Sequence, residues 1–202
     1  MDTPTINYET LFDYVKEALA VYDEHGGIVR TGIKFSRYEH TERVYRWMMI
    51  LAEEFSYEID MESLQIATIF HDIGYSFNKE SMRTHAQDGA VLAREYLESI
   101  GYPEEKREFI CNLIHRHSDK AALHEEDTPM ELILLMEADL LDDKVAFDNQ
   151  IMQKILPRVQ GSSESIKTML GELLKICESE KYEASAKKIN FMIKRYEEDG
   201  FT

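Results

Sequence analysis

Residues 61–75 read MESLQIATIFHDIGY, and this stretch decides the fold. Leu64, Ala67 and Thr68 recur at the three- and four-residue spacing of an α-helix, not with the alternation of a strand. Asp60 stands where an N-cap belongs and Gly74 where a helix stops. The spacing predicts one helix from Met61 to Ile73. His71 continues the apolar stripe and therefore faces inward. Asp72 lies beside it, about 100° further round the helix.

The same periodicity extends in both directions. Upstream, it predicts a helix over 8–24 carrying Leu11, Phe12, Val15, Ala18 and Leu19, stopped by His25-Gly26-Gly27. A connector, 28–35, leads to a second helix over 37–55, whose stripe includes Val44, Trp47, Met48 and Leu51. Downstream, 77–83 is a polar loop, and a helix with Ala86, Ala90, Ala93, Leu97 and Ile100 starts near Thr84. Gly101-Tyr102-Pro103 breaks it, and Pro103 opens the next helix, which runs to about His117. Thr128-Pro129-Met130-Glu131 matches a capping box for a helix reaching about Phe147. The tail, 163–198, divides into two helices around 177–182. No segment alternates convincingly as a strand. The expectation is an all-α chain of seven or eight helices forming one domain over 1–202.

Bulk properties bound the function. At 202 residues the chain suffices for one well-buried core. Apolar residues make up 44% and charged residues 31%, ordinary for a soluble globular protein. No apolar run approaches the ~20 residues of a membrane span, and the polar, acidic N-terminus does not resemble a signal peptide. Two cysteines, Cys111 and Cys177, make no disulfide framework, so a reduced, cytoplasmic protein is expected. Thirty-nine acidic against 23 basic residues give a net charge of −16, which argues against a nucleic-acid polymer as partner. A small phosphorylated substrate is compatible, since a bound cation inverts the local field.

The chemistry lies in polar residues on apolar faces. His40 precedes Val44, Trp47 and Met48 on the inward side of its helix, where a lone histidine is commonly just a core residue. Asp139 follows Leu132, Leu135 and Met136 at helical spacing, which puts a carboxylate on an apolar face. A buried carboxylate without compensation is costly and tends to protonate. A divalent cation shared by His40, His71, Asp72 and Asp139 removes that cost. Imidazole and carboxylate suit Mn, Fe, Co, Ni or Zn, with Mg also to be considered. With no cysteine nearby, a closed structural zinc site is not expected.

In order, HTERV at 40–44, ATIFHDIGY at 67–75 and EADLLDD at 137–143 resemble the HD superfamily of metal-dependent phosphohydrolases. HAQDGAVLA at 85–93 and IHRHS at 114–118 are similar to further segments of that family. The resemblance covers about 36–148, and AKKINFMIKRY at 186–196 is similar to the closing helix of small bacterial members. It implies that His40, His71, Asp72 and Asp139 ligate one divalent ion. It also implies that His85 and His117 either bind a second ion, bridged by Asp72, or donate a proton to the leaving group. His115 stays open as the alternative to His117, and Asp142 is implied to orient a ligand. His25 and His124 match nothing in the pattern and are expected at the surface.

Two departures bear on substrate. Tyr75 stands where two-metal phosphodiesterase members often have lysine, and Ile73-Gly74-Tyr75-Ser76 lacks the glutamate of members that hydrolyse guanosine tetraphosphate or 5′-nucleotides. Arg43 and Lys144, near the ligands in sequence, are candidates for binding substrate charge, as are Lys79 and Arg83 on the loop before His85. The resulting expectation is hydrolysis of a phosphate ester or anhydride of a nucleotide or other small metabolite, with one or two ions. The alternatives are a catalytically silent metal- or nucleotide-binding regulatory module and a di-iron oxygenase. The acidic tail helices allow either a homodimer interface or an ordinary packed surface.

Overall fold

The computed structural model describes residues 4–25, 29–30, 33–55, 58–77, 83–119, 125–146, 149–161 and 165–198. Nine α-helices occupy most of them: α1 Tyr8–His25, α2 Arg37–Phe55, α3 Met61–Phe70, α4 His85–Ser99, α5 Glu104–Arg116, α6 Met130–Val145, α7 Gln150–Gln160, α8 Ile166–Ser179 and α9 Glu183–Glu198. The all-α class follows, with α7 an additional helix in a stretch that the periodicity leaves unassigned. Between α1 and α2, β1 (Val29–Arg30) pairs antiparallel with β2 (Ile33–Lys34). Two residues per strand are too few to show alternation, so the connector carries no strand signal.

Helix α3 is the axis of the molecule. Seven of its residues, from Ser63 to Phe70, are buried all round it, so it behaves as a core helix and not an amphipathic one. Leu64, Ile66, Ile69 and Phe70 are fully buried. Each such side chain contributes roughly 1.5–3 kcal/mol of apolar transfer. α1, α2, α5 and α6 pack around it, while α4 pairs with α5 and α8 with α9. Leu173, Ile189 and Met192 of the tail join the same buried cluster as Val44 and Leu64.

Two local expectations are corrected. The helix predicted over 61–73 ends at Phe70, and the chain tightens into a 3-10 turn, Ile73–Ser76. The cause is close packing: a Cβ on Gly74 would lie 2.0 Å from the His85 carbonyl oxygen. The capping box at 128–131 lacks its reciprocal half, because the Thr128 amide donates to the Glu125 carbonyl at 3.3 Å and not to Glu131. Glu131 instead accepts the Asp60 amide at 2.7 Å and so ties α6 to the start of α3. Asp60 itself caps α3 as its sequence position predicts, accepting the Ser63 amide at 3.2 Å.

The start of α2 is held from α1. Asp23 accepts the Arg37 and Tyr38 amides and the Ser36 hydroxyl, and Ser36 accepts the Glu39 amide at 3.2 Å. Capping donors otherwise orphaned at a helix N-terminus are thereby satisfied. This fixes the turn of α2 that carries Arg37 and His40.

Candidate metal centre

Two helix ends and two helix starts converge. α2 supplies His40, the end of α3 supplies His71 and Asp72, α4 begins with His85, and α5 ends at His117. α6 brings Asp139 and Asp142 from the opposite side. His40, His71, Asp72 and His117 are buried. Of the two candidate histidines at the end of α5, His117 points inward and His115 is exposed.

The Asp72 carboxylate sits at the centre. Its Oδ2 lies 3.5 Å from His71 Nε2 and 3.6 Å from His40 Nε2. Its Oδ1 lies 3.7 Å from His85 Nε2 and 3.8 Å from His117 Nε2. Ligand-type atoms thus fall into His40–His71–Asp72 and Asp72–His85–His117, each close enough to share one ion, and a third set joins His40, Asp139 and Asp143.

The imidazoles are oriented for coordination. His71 Nδ1 donates to the Thr68 carbonyl at 2.7 Å, and His117 Nδ1 donates to the Ile114 carbonyl at 2.6 Å. A carbonyl only accepts, so each Nδ1 carries the proton and each neutral ring presents its Nε2 lone pair inward. Burial pushes both rings below the ordinary histidine pKa and keeps them neutral. His71 Nε2 is buried without a hydrogen-bond partner among the described residues, a costly state unless a ligand satisfies it. These donors fit a divalent cation, and oxygen-anchored Nδ1 atoms are the usual support for histidine ligands.

His40 is held differently. Its Nδ1 meets Asp142 Oδ2 at 2.6 Å and its Nε2 meets Asp139 Oδ1 at 3.0 Å. Burial opposes its charge, but those two carboxylates outweigh burial and push it up to about 10. Burial would likewise raise Asp72, yet His71, Arg37, His40 and His85 hold it well below the usual carboxylate range. A cation at this centre would therefore displace the His40 proton on binding.

Residues beyond the sequence expectation complete the centre. Arg37 is 7% exposed, donates to Asp72 Oδ2 at 2.8 Å and stands 4.3 Å from the centre of the Tyr75 ring. Tyr75 also stacks on His85, with ring centres 4.6 Å apart. The signal for Arg37 was its place three residues before His40, one helical turn along the same face. Asp143 follows Asp139 by four residues in the same way.

The structure distributes the other candidates. Arg43 is buried and gives Nε and Nη2 to Asp142 at 2.8 and 3.0 Å, so these donors serve Asp142, which itself anchors His40. Lys144 is half-buried on α6 and forms no ion pair among the described residues. Arg83 is exposed, while Lys79 and His124 lie outside the described residues. Cys111 and Cys177 are both free and buried.

A family model for the HD domain matches residues 37–143, which span every residue of this centre. The chain belongs to the HD-domain family. A second model, for a domain of unknown function (DUF8727), matches 130–201, from α6 through the tail helices. A CC-adding tRNA nucleotidyltransferase from Thermus thermophilus is 35% identical over 89 residues, covering 40% of this chain and 20% of that relative. No solved structure matches the chain. No helix among the described residues is long and apolar enough to cross a membrane.

Proposed function

We propose that the chain is a metal-dependent phosphohydrolase acting on a nucleotide or another small phosphorylated metabolite. The observation that carries this reading is the Asp72 carboxylate, with one oxygen facing His40 and His71 and the other facing His85 and His117. His40, His71, Asp72 and Asp139 would hold one divalent ion, and His85 and His117 a second through the other face of Asp72. Divalent ions supply Lewis-acid charge to a phosphoryl oxygen and lower the pKa of water.

The chain's own groups do the rest. Asp72 orients the attacking water by accepting its proton in a hydrogen bond. Arg37 would stabilise charge on the phosphoryl oxygens, an electrostatic role well served by a buried guanidinium. Where a second ion does not take it, His85 donates a proton to the departing oxygen. The water oxygen bonds to phosphorus as the ester or anhydride oxygen leaves. The net charge of −16 supports a small substrate over a polymer.

The test is to strip the protein, reload it with Mn, Co, Ni or Mg, and follow phosphate release from a panel of nucleotides and phosphomonoesters. Bound metal is measured in parallel by elemental analysis. Turnover that disappears in Asp72→Ala is expected. Full activity in Asp72→Ala refutes the hydrolase reading, and metal binding without turnover assigns the chain to the silent regulatory class.

A further inference from the structure

A second cavity of about 770 Å³ lies between α2 and α7 and contains none of the candidate ligands. Its volume is in the range of small-molecule sites. In a chain with a large excess of acid, Arg46, Lys154 and Arg158 line this cavity without an ion pair to any described residue. All three are exposed. Arg43 adds a fourth, buried cation: Asp142 takes its Nε and Nη2, and Nη1 makes no hydrogen bond to a described residue. A guanidinium pinned by a carboxylate keeps its outer edge preorganised for an anion.

The cavity has polarity. Gln160 Nε2 donates to the Arg43 carbonyl at 3.0 Å, which brings the C-terminal turn of α7 beside Arg43. Arg158 and Arg43 therefore share one end with Arg46, one turn further along α2. Asp23, Glu24 and Glu39 line the opposite end, where α1 meets the first turn of α2, together with Lys34, whose Nζ donates to the Glu24 carbonyl at 3.4 Å; Glu42 lies between the two ends, beside Arg43. Asp23 is already spent on capping α2 and Glu42 accepts the Tyr38 hydroxyl at 3.4 Å, which leaves Glu39 with the amide of Gln150. Cations at one end select phosphate, whereas carboxylates and an amide at the other accept and donate to hydroxyls. Among the described residues no aromatic ring lines the cavity.

We infer that the α2–α7 cavity is a binding site for a phosphorylated polyol, of the sugar-phosphate class, separate from the metal centre. This site does not rest on the hydrolase reading, since binding is measured without turnover. The test uses the full chain after dialysis against chelator, titrated calorimetrically with ribose 5-phosphate and, separately, with inorganic phosphate. The expected result is saturable binding of ribose 5-phosphate, tighter than that of inorganic phosphate. Reversing two charges, in Arg46→Glu with Arg158→Glu, weakens it by about tenfold or more, while Asp72→Asn leaves it unchanged. Both reversed side chains are exposed, so folding is retained and is checked by circular dichroism; Lys154→Glu provides an independent variant with the same expected direction. Absence of saturable binding overturns the site, as does binding that survives the charge reversals or is lost in Asp72→Asn. Equal affinity for inorganic phosphate overturns the polyol assignment.

Discussion

Replacing Gly74 with alanine isolates the packing that joins the two halves of the metal centre. An added Cβ would sit 2.0 Å from the His85 carbonyl oxygen, 2.5 Å from the Gly89 amide nitrogen and 2.8 Å from the His85 carbonyl carbon. Ordinary contact begins at 3.4 Å, so the first turn of α4 must retreat by about 1 Å or more from the 3-10 turn. All three obstacles are backbone and cannot rotate away. Overpacking of this kind costs roughly 1–3 kcal/mol or more, and the upper end is expected here. For a chain of this size, ~3 kcal/mol lowers Tm by about 6–12 °C. Gly89→Ala is the control. Its Cβ would first meet Ile114 Cγ2, a side-chain atom, at 3.3 Å, and alanine regains about 1 kcal/mol of helix propensity. Gly89→Ala should therefore melt near the wild type. Thermal melts followed at 222 nm compare the three proteins. If Gly74→Ala melts within about 2 °C of wild type, the close approach of the turn to α4 does not limit this fold and the argument fails.

Arg195→Ala should be among the most destabilising single changes in the tail. Glu137 is fully buried and receives both Nη atoms of Arg195 and the Tyr196 hydroxyl. Removing the arginine strands a buried carboxylate at a cost of about 3–5 kcal/mol in urea unfolding, whereas replacing Glu137 and Arg195 together by methionine should cost less. Asp60→Ala should cost about 1 kcal/mol at neutral pH through loss of the α3 cap. Burial opposes ionisation of Asp60, but the Ser63 amide and hydroxyl and Lys106 outweigh it and hold its pKa below 3.8. Its contribution is present above the unfolded pKa and lost as pH falls through the lower folded one. The difference between wild type and Asp60→Ala should thus shrink in melts taken below the ordinary carboxylate range, and a gap that widens in acid refutes the sign.

The helices and the inward direction of His40, His71 and Asp139 were legible because each rests on periodicity within one segment. The break after Phe70 was not, because it depends on α4 approaching Gly74 from across a loop. The Glu131 half of the capping box at 128–131 misled for a related reason: its carboxylate accepts the Asp60 amide, which is distant in sequence. The bonds from Arg43 to Asp142 on α6 were not legible, because they join residues 99 positions apart. Tyr75 was visible only as a departure from a family pattern. Its stacking on His85 and its contact with Arg37 arise from three elements that only tertiary packing brings together.

The carbonyl anchors of His71 and His117 have a consequence for how such a centre tolerates change. Each imidazole closes the last turn of its own helix, by a bond to the residue three positions earlier. The direction of the lone pair is thus written into four consecutive residues. Insertions in the connections between α3 and α4, or between α5 and α6, should leave the aim of either ring intact, while adding a single residue inside the final turn of α3 or α5 would swing it away.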